Sequence, residues 1–214
     1  MAEESLNDVL GGRRGAIEAS LPPLAFGLGW LAFDRSTMAG VVAALAVGAA
    51  VAGWRLYRGH RPMAVVISLF GVCLAALVVL RTGRAADFFL LQLLSNAASA
   101  LAWLVSIVIR WPLLGVVVGV ALGQKARWRR DPALVRAYGW GSVVWVFQYV
   151  IRVAVFLPLY AADRVMELTG ARIALTWPLV AACVAVSWWV VRRTLPPDHP
   201  GLRHPREAGV AAAT

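Results

Sequence analysis

Two stretches hold polar residues where hydrocarbon is expected. GWGSVVWVFQYVIRVAVFLPLY, residues 139–160, has the composition of a membrane helix, yet it contains Arg152. A guanidinium at that depth is costly and must find partners. Gln148 lies four residues before it and Trp145 seven before, so the three share one helix face. Upstream, DFFLLQLLSNAASALAWLVSIVIR carries Gln92, Ser95, Asn96 and Ser99 at i, i+3, i+4 and i+7, again a single face. In a bilayer such faces turn inward, toward each other.

Depth suggests which groups meet. Asn96 is nine residues past Asp87, about 14 Å along a helix, and Arg152 is eight residues before Tyr160, about 12 Å. The expectation is that Arg152 meets Asn96, with Ser95, Ser99 or Gln92 beside it and Gln148 on its own helix. Two chemistries remain open. One is a buried clamp that fixes helix register, or an arginine that snorkels outward; such hydrogen bonds contribute on the order of 1 kcal/mol each. The other is a site for an anion or lipid headgroup, because amides and hydroxyls leave the guanidinium charge uncompensated. The nearest acids, Asp34, Asp87 and Asp163, all fall at the outer surface. In RTGRAADFF, residues 81–89, Arg84 and Asp87 are three apart. They form either an interfacial ion pair or an outer mouth in which Asp87 reaches toward Arg152.

These residues require membrane helices to hold them. The chain has 214 residues, of which 60% are hydrophobic and 15% charged. A soluble domain of this size cannot hide so much apolar surface. The predicted fold is all-α: a polytopic transmembrane helix bundle with about six spans, near 21–33, 39–54, 63–80, 87–109, 138–160 and 173–191. The first span is short unless it begins at Ala16 and brings Glu18 to the interface. Its Pro22–Pro23 pair predicts a kinked or broken start. PLLGVVVGVALG, residues 112–123, is too short to cross at about 18 Å and is expected to be interfacial or re-entrant. Gly115, Gly119 and Gly123 recur every fourth residue, a smooth face for close packing. Gly40, Ala44, Gly48 and Ala52 form a similar stripe, compatible with a tight bundle or with a homodimer.

Charge sets the orientation. With the amino terminus inside, 15 basic residues lie in inner segments and five in outer ones, with Arg152 left over. This asymmetry predicts that both termini are cytoplasmic. Trp54, Trp111, Trp140, Trp188 and Trp189 fall near inner ends, as an aromatic belt would. The net charge of +10 is thus explained by topology, and no nucleic acid is expected, since the basic stretches are short and lack a recognition module. The loop KARWRRDPALVRAY, residues 125–138, is the most basic. Its Lys125, Arg127, Arg129 and Arg130 suit anionic lipid headgroups. Asp131 before Pro132 marks a helix start, so the fifth span should begin before the membrane.

Residues 1–15 make a cytoplasmic segment, 16–193 the membrane domain, and the Pro-, Gly- and Ala-rich 194–214 a disordered tail. The first 20 residues are too charged for a signal peptide. His60 reads as a solvated loop residue, and His199 and His204 lack companions for a metal site. Cys73 and Cys183 sit in apolar runs and are expected to be inert buried thiols. No His–Glu, Ser–His or paired-carboxylate set is apparent, so neither an enzyme nor a cofactor is expected.

GGRRGAIEASLPPLAF (11–26), RTGRAADFFL (81–90), WRRDPALVRAY (128–138), Phe147 with Arg152, and PLY (158–160) occur in an order and spacing that resembles the actinobacterial membrane proteins of domain-of-unknown-function family 3159. The resemblance covers nearly all of residues 10–193 and implies a bacterial plasma-membrane protein with no assigned reaction. The layout also resembles, more distantly, the intracellular septation protein A family. That likeness implies a role in the cell envelope or in division through protein partners, and the expected function is that of a structural or accessory protein of the envelope. The alternative is a small transporter or binding protein that uses Arg152.

Overall fold

The computed structural model describes residues 12–59, 62–124, 126–197 and 199–202. Residues 1–11, His60, Arg61, Lys125, Asp198 and the tail from 203, which includes His204, lie outside the described residues. Among the described residues seven helices follow one another: α1 Gly12–Ala32, α2 Thr37–Tyr57, α3 Pro62–Thr82, α4 Leu90–Val108, α5 Leu113–Ala121, α6 Pro132–Ala161 and α7 Val165–Thr194. Short 3-10 turns at Ala85–Phe89 and Arg127–Arg130 precede α4 and α6. The described residues contain no strand. Helices α2, α3, α6, α7 and the turn-plus-α4 segment are each long and apolar enough to cross a bilayer, and Ser20–Ala32 adds a shorter apolar helix. The protein is therefore an integral membrane protein of helical-bundle type.

The chain forms two compact units: residues 1–94 with 154–177, and residues 95–153 with 178–214. In the first, α1 packs on α2 and α2 on α3. Ser36 caps α2, its Oγ accepting from Ala39 N at 3.3 Å. The stripe Gly40, Ala44, Gly48 and Ala52 is buried. A Cβ on Gly40 would lie 3.0 Å from Phe26 O, and one on Gly48 would lie 3.5 Å from Val72 Cγ1. The stripe thus serves contacts within the bundle, to α1 and α3. On α1, a Cβ at Gly27 would lie 2.7 Å from Thr169 Oγ1 of α7. Phe26 stacks on Phe88 at 4.2 Å and meets Phe89 edge-on, so the whole Ala85–Phe89 turn is buried.

The first helix departs from expectation in one respect. α1 begins at Gly12 and runs unbroken through Pro22 and Pro23. Each proline removes one backbone hydrogen bond, but the residues that follow them are locked against α2 and α7, and this packing outweighs the loss. The early start does bring Glu18 to Arg55, at 2.7 Å. Thiol exposure differs as well. Cys183 is buried, but Cys73 is exposed, because α3 turns it away from its neighbours.

In the second unit, α6 starts at Pro132, and Asp131 Oδ1 accepts from Ala133 N and Leu134 N at 3.0 and 3.4 Å. This is the predicted cap. At 30 residues, α6 spans about 45 Å. The short helix α5 is tied at its amino end by two hydroxyls: Leu113 N donates to Ser106 Oγ at 3.2 Å and Leu114 N to Ser142 Oγ at 3.3 Å. Gly115 faces aromatic rings, where a Cβ would lie 2.7 Å from Trp128 and 2.9 Å from Tyr138. Gly123 serves a different purpose: its φ of +65° ends the helix in the left-handed region. Trp128, Leu134, Ala137, Tyr138 and Val191 form the core of this unit, with Leu195 and Leu202 packed against it. Leu195 and Leu202 are therefore packed back onto the protein, whereas composition had placed them in a disordered tail. Composition missed the contacts that hold them, which are non-local.

Candidate functional site: a buried polar face on α4 and α6

The contacts of α5 also fix how α4 and α6 align. Ser106 and Ser142 bind adjacent residues of α5. Three residues further along each helix, Trp103 stacks on Trp145, with ring centroids 5.2 Å apart and planes 8° from parallel. Positions on the two helices thus pair with opposite direction. Seven residues are two helical turns on the same face, so this register carries Trp103 to Asn96 and Trp145 to Arg152. By this register Asn96 and Arg152 occupy facing positions, and both are buried, at 3% and 9% exposure.

The rest of the predicted cluster divides. Gln148 is buried, and Ser99, one residue from the position opposite it by the same register, is half-buried. Ser95 is exposed. It sits at the edge of the polar face, about 100° around the helix from its neighbour Asn96, and turns outward. Gln92 is half-buried and belongs to the other compact unit. Arg152 also lies 5.8 Å from the centroid of Tyr149. Gln148 Oε1 and Trp145 Nε1 are shielded from the outside with no hydrogen-bond partner among the described residues. An acceptor and a donor left over beside a guanidinium form a polar lining able to take a small ligand or water.

The predicted outer mouth is built differently from the expectation. Asp87 is buried and accepts from Tyr160 Oη at 2.5 Å. Arg84 donates to Tyr160 O at 3.4 Å and lies 5.3 Å from the same ring. The direct Arg84–Asp87 ion pair is not formed. Both residues bind Tyr160, because the 3-10 turn buries the carboxylate while Arg84 stays exposed. Asp163 completes the arrangement, its Oδ1 accepting from Ala86 N at 3.3 Å.

Arg127, Arg129 and Arg130 are exposed, as expected of a basic surface. Arg129 lies over Trp111 at 3.8 Å. Sequence reasoning missed the group beside them. His199 Nε2 lies 2.8 Å from Asp131 Oδ2, with both side chains almost wholly buried. Gly201 N donates to His199 Nδ1 at 3.0 Å, which places the ring proton on Nε2, facing the carboxylate. Gln124 Nε2 donates to Leu202 O at 2.8 Å. Only the cap half of this constellation, Asp131–Pro132, carries a local signal; PPDHPG carries none for the histidine.

Residues 10–198 match the family described as Protein of unknown function (DUF3159). The chain belongs to that family. No curated protein matches it. No solved structure does either. Family membership therefore brings no reaction with it, and this DUF3159 protein must be interpreted from its own residues.

Proposed function

We propose that this DUF3159 protein is a structural or accessory component of the bacterial cell envelope. It lies in the plasma membrane with both termini in the cytoplasm. The orientation draws support from the 15-to-5 asymmetry of basic residues. It is also supported by arginines laid over tryptophans at the ends assigned to the inside: Arg58 over Trp54, Arg129 over Trp111, Arg192 over Trp188 and Arg193 over Trp189.

The accessory role rests on one observation: the polar contacts near the helix ends are internal clamps. Glu18 binds Arg55, Asp87 binds Tyr160, and Asp131 binds His199. Such groups hold a scaffold in shape. The exterior presents large apolar side chains, among them Phe70, Phe147 and Val184. They suit lipid and a second membrane helix, from another protein or another copy of this chain. The test is photocrosslinking in intact membranes from probes placed at Phe70, Phe147 and Val184. A discrete adduct with a protein or a second copy is expected from at least one position. Lipid adducts alone from all three would refute the reading.

A second reading has its own support. Arg152, together with the unpartnered Gln148 Oε1 and Trp145 Nε1, suits an anion or lipid headgroup bound within the membrane. In proteoliposomes, anion efflux that is abolished by Arg152→Gln would favour this reading over the scaffold. Efflux no greater than from empty vesicles would dismiss transport.

A further inference from the structure

A hollow of about 350 Å³ opens at the turn before α6, lined by Ala126, Arg127, Arg129 and Arg130. The local sequence explains its shape. In Arg127–Arg130, Trp128 points inward, 1% exposed, wedged between the bare face of Gly115 and the Tyr138 ring. That anchor pins the turn and leaves the three arginines exposed around it. Asp131, the next residue, turns its carboxylate into the protein, toward the α6 backbone and His199. Arg129 is further steadied by the Trp111 ring. Neither Arg129 nor Arg130 forms an ion pair with a described residue.

Arg129 and Arg130, held beside one hollow, repel each other unless an anion joins them. The planar guanidinium fork matches phosphate oxygens two at a time. We propose that this hollow is a phosphate-binding site, in which Arg127, Arg129 and Arg130 hold the oxygens of a phosphate ester or of free phosphate. The proposal does not depend on the accessory role, which stands or falls on the crosslinking above.

The experiment is a binding titration of the full chain in mild detergent by native mass spectrometry. The probes are phosphatidic acid, phosphatidylcholine and inorganic phosphate. The variants are Arg129→Gln/Arg130→Gln and, with the same change in net charge, Arg192→Gln/Arg193→Gln. Phosphatidic acid is expected to bind the parent and to bind the first variant at least about tenfold more weakly, since each guanidinium removed takes away at least one charge-assisted hydrogen bond. The second variant should bind as the parent does. Displacement of phosphatidic acid by inorganic phosphate would assign the site to phosphate itself; resistance to displacement would assign it to a lipid headgroup. An equal loss in both variants, or equal binding of phosphatidylcholine, would overturn the proposal. If the Gln variant does not fold, Arg129→Lys/Arg130→Lys decides. It keeps the charge and loses the fork, so weakened binding supports the site and unchanged binding overturns it.

Discussion

Gly115 offers the sharpest test of how the end of the bundle is packed. A methyl group there would lie 2.7 and 2.8 Å from two carbons of the Trp128 six-membered ring and 2.9 Å from a Tyr138 ring carbon. Carbon atoms rest at roughly 3.5–4.0 Å, so the rings must retreat by about 0.7 Å. Neither ring is a flexible chain end, and each is almost fully enclosed. Over-packing of this kind costs about 1–3 kcal/mol. Replacing a helical glycine by alanine also contributes a gain of up to about 1 kcal/mol through helix propensity. Gly139 supplies the control, because it too is helical and a Cβ there meets nothing within 4 Å. The propensity gain is common to both and cancels. Gly115→Ala should therefore be less stable than Gly139→Ala by about 1–3 kcal/mol. Denaturation in mixed micelles, followed by tryptophan fluorescence, measures the difference. Adding Trp128→Phe, which removes the two crowding carbons, should return part of the loss. Equal stability of Gly115→Ala and Gly139→Ala would show that the rings do not rest against α5.

Other perturbations follow from the same contacts. His199→Ala removes the charge-assisted bond to buried Asp131 and should cost about 1.5–3 kcal/mol; limited proteolysis should then cut within 195–202, which the parent protects. Tyr160→Phe deletes the hydroxyl that binds Asp87 and should lower stability by a similar amount, about 1.5–3 kcal/mol, and unchanged thermal unfolding would contradict the clamp. Asn96→Leu should lower stability by about 1 kcal/mol, with Ser95→Leu as a neutral comparison because Ser95 faces outward; equal effects would refute the register between α4 and α6.

Much of this protein was legible in the chain. Apolar runs of span length and arginine-rich connections are local properties, and they sufficed for a helical membrane bundle. Asp131 before Pro132 marked the start of α6, because capping depends on two or three adjacent residues. The polar face of α4 and the place of Arg152 in α6 were legible from helical period, whereas the alignment of the two helices comes from the stacked Trp103 and Trp145. Three things depended on tertiary structure. Period alone could not place Ser95 at the edge of its face, since an edge residue turns in or out according to what packs beside it. The prolines of α1 left its helix unbroken because α2 and α7 grip the residues that follow. Asp87 chose Tyr160, and Asp131 chose His199, residues separated by 73 and 68 positions. No local pattern encodes such pairs. They form because burial leaves a carboxylate few partners, and the folded chain delivers one.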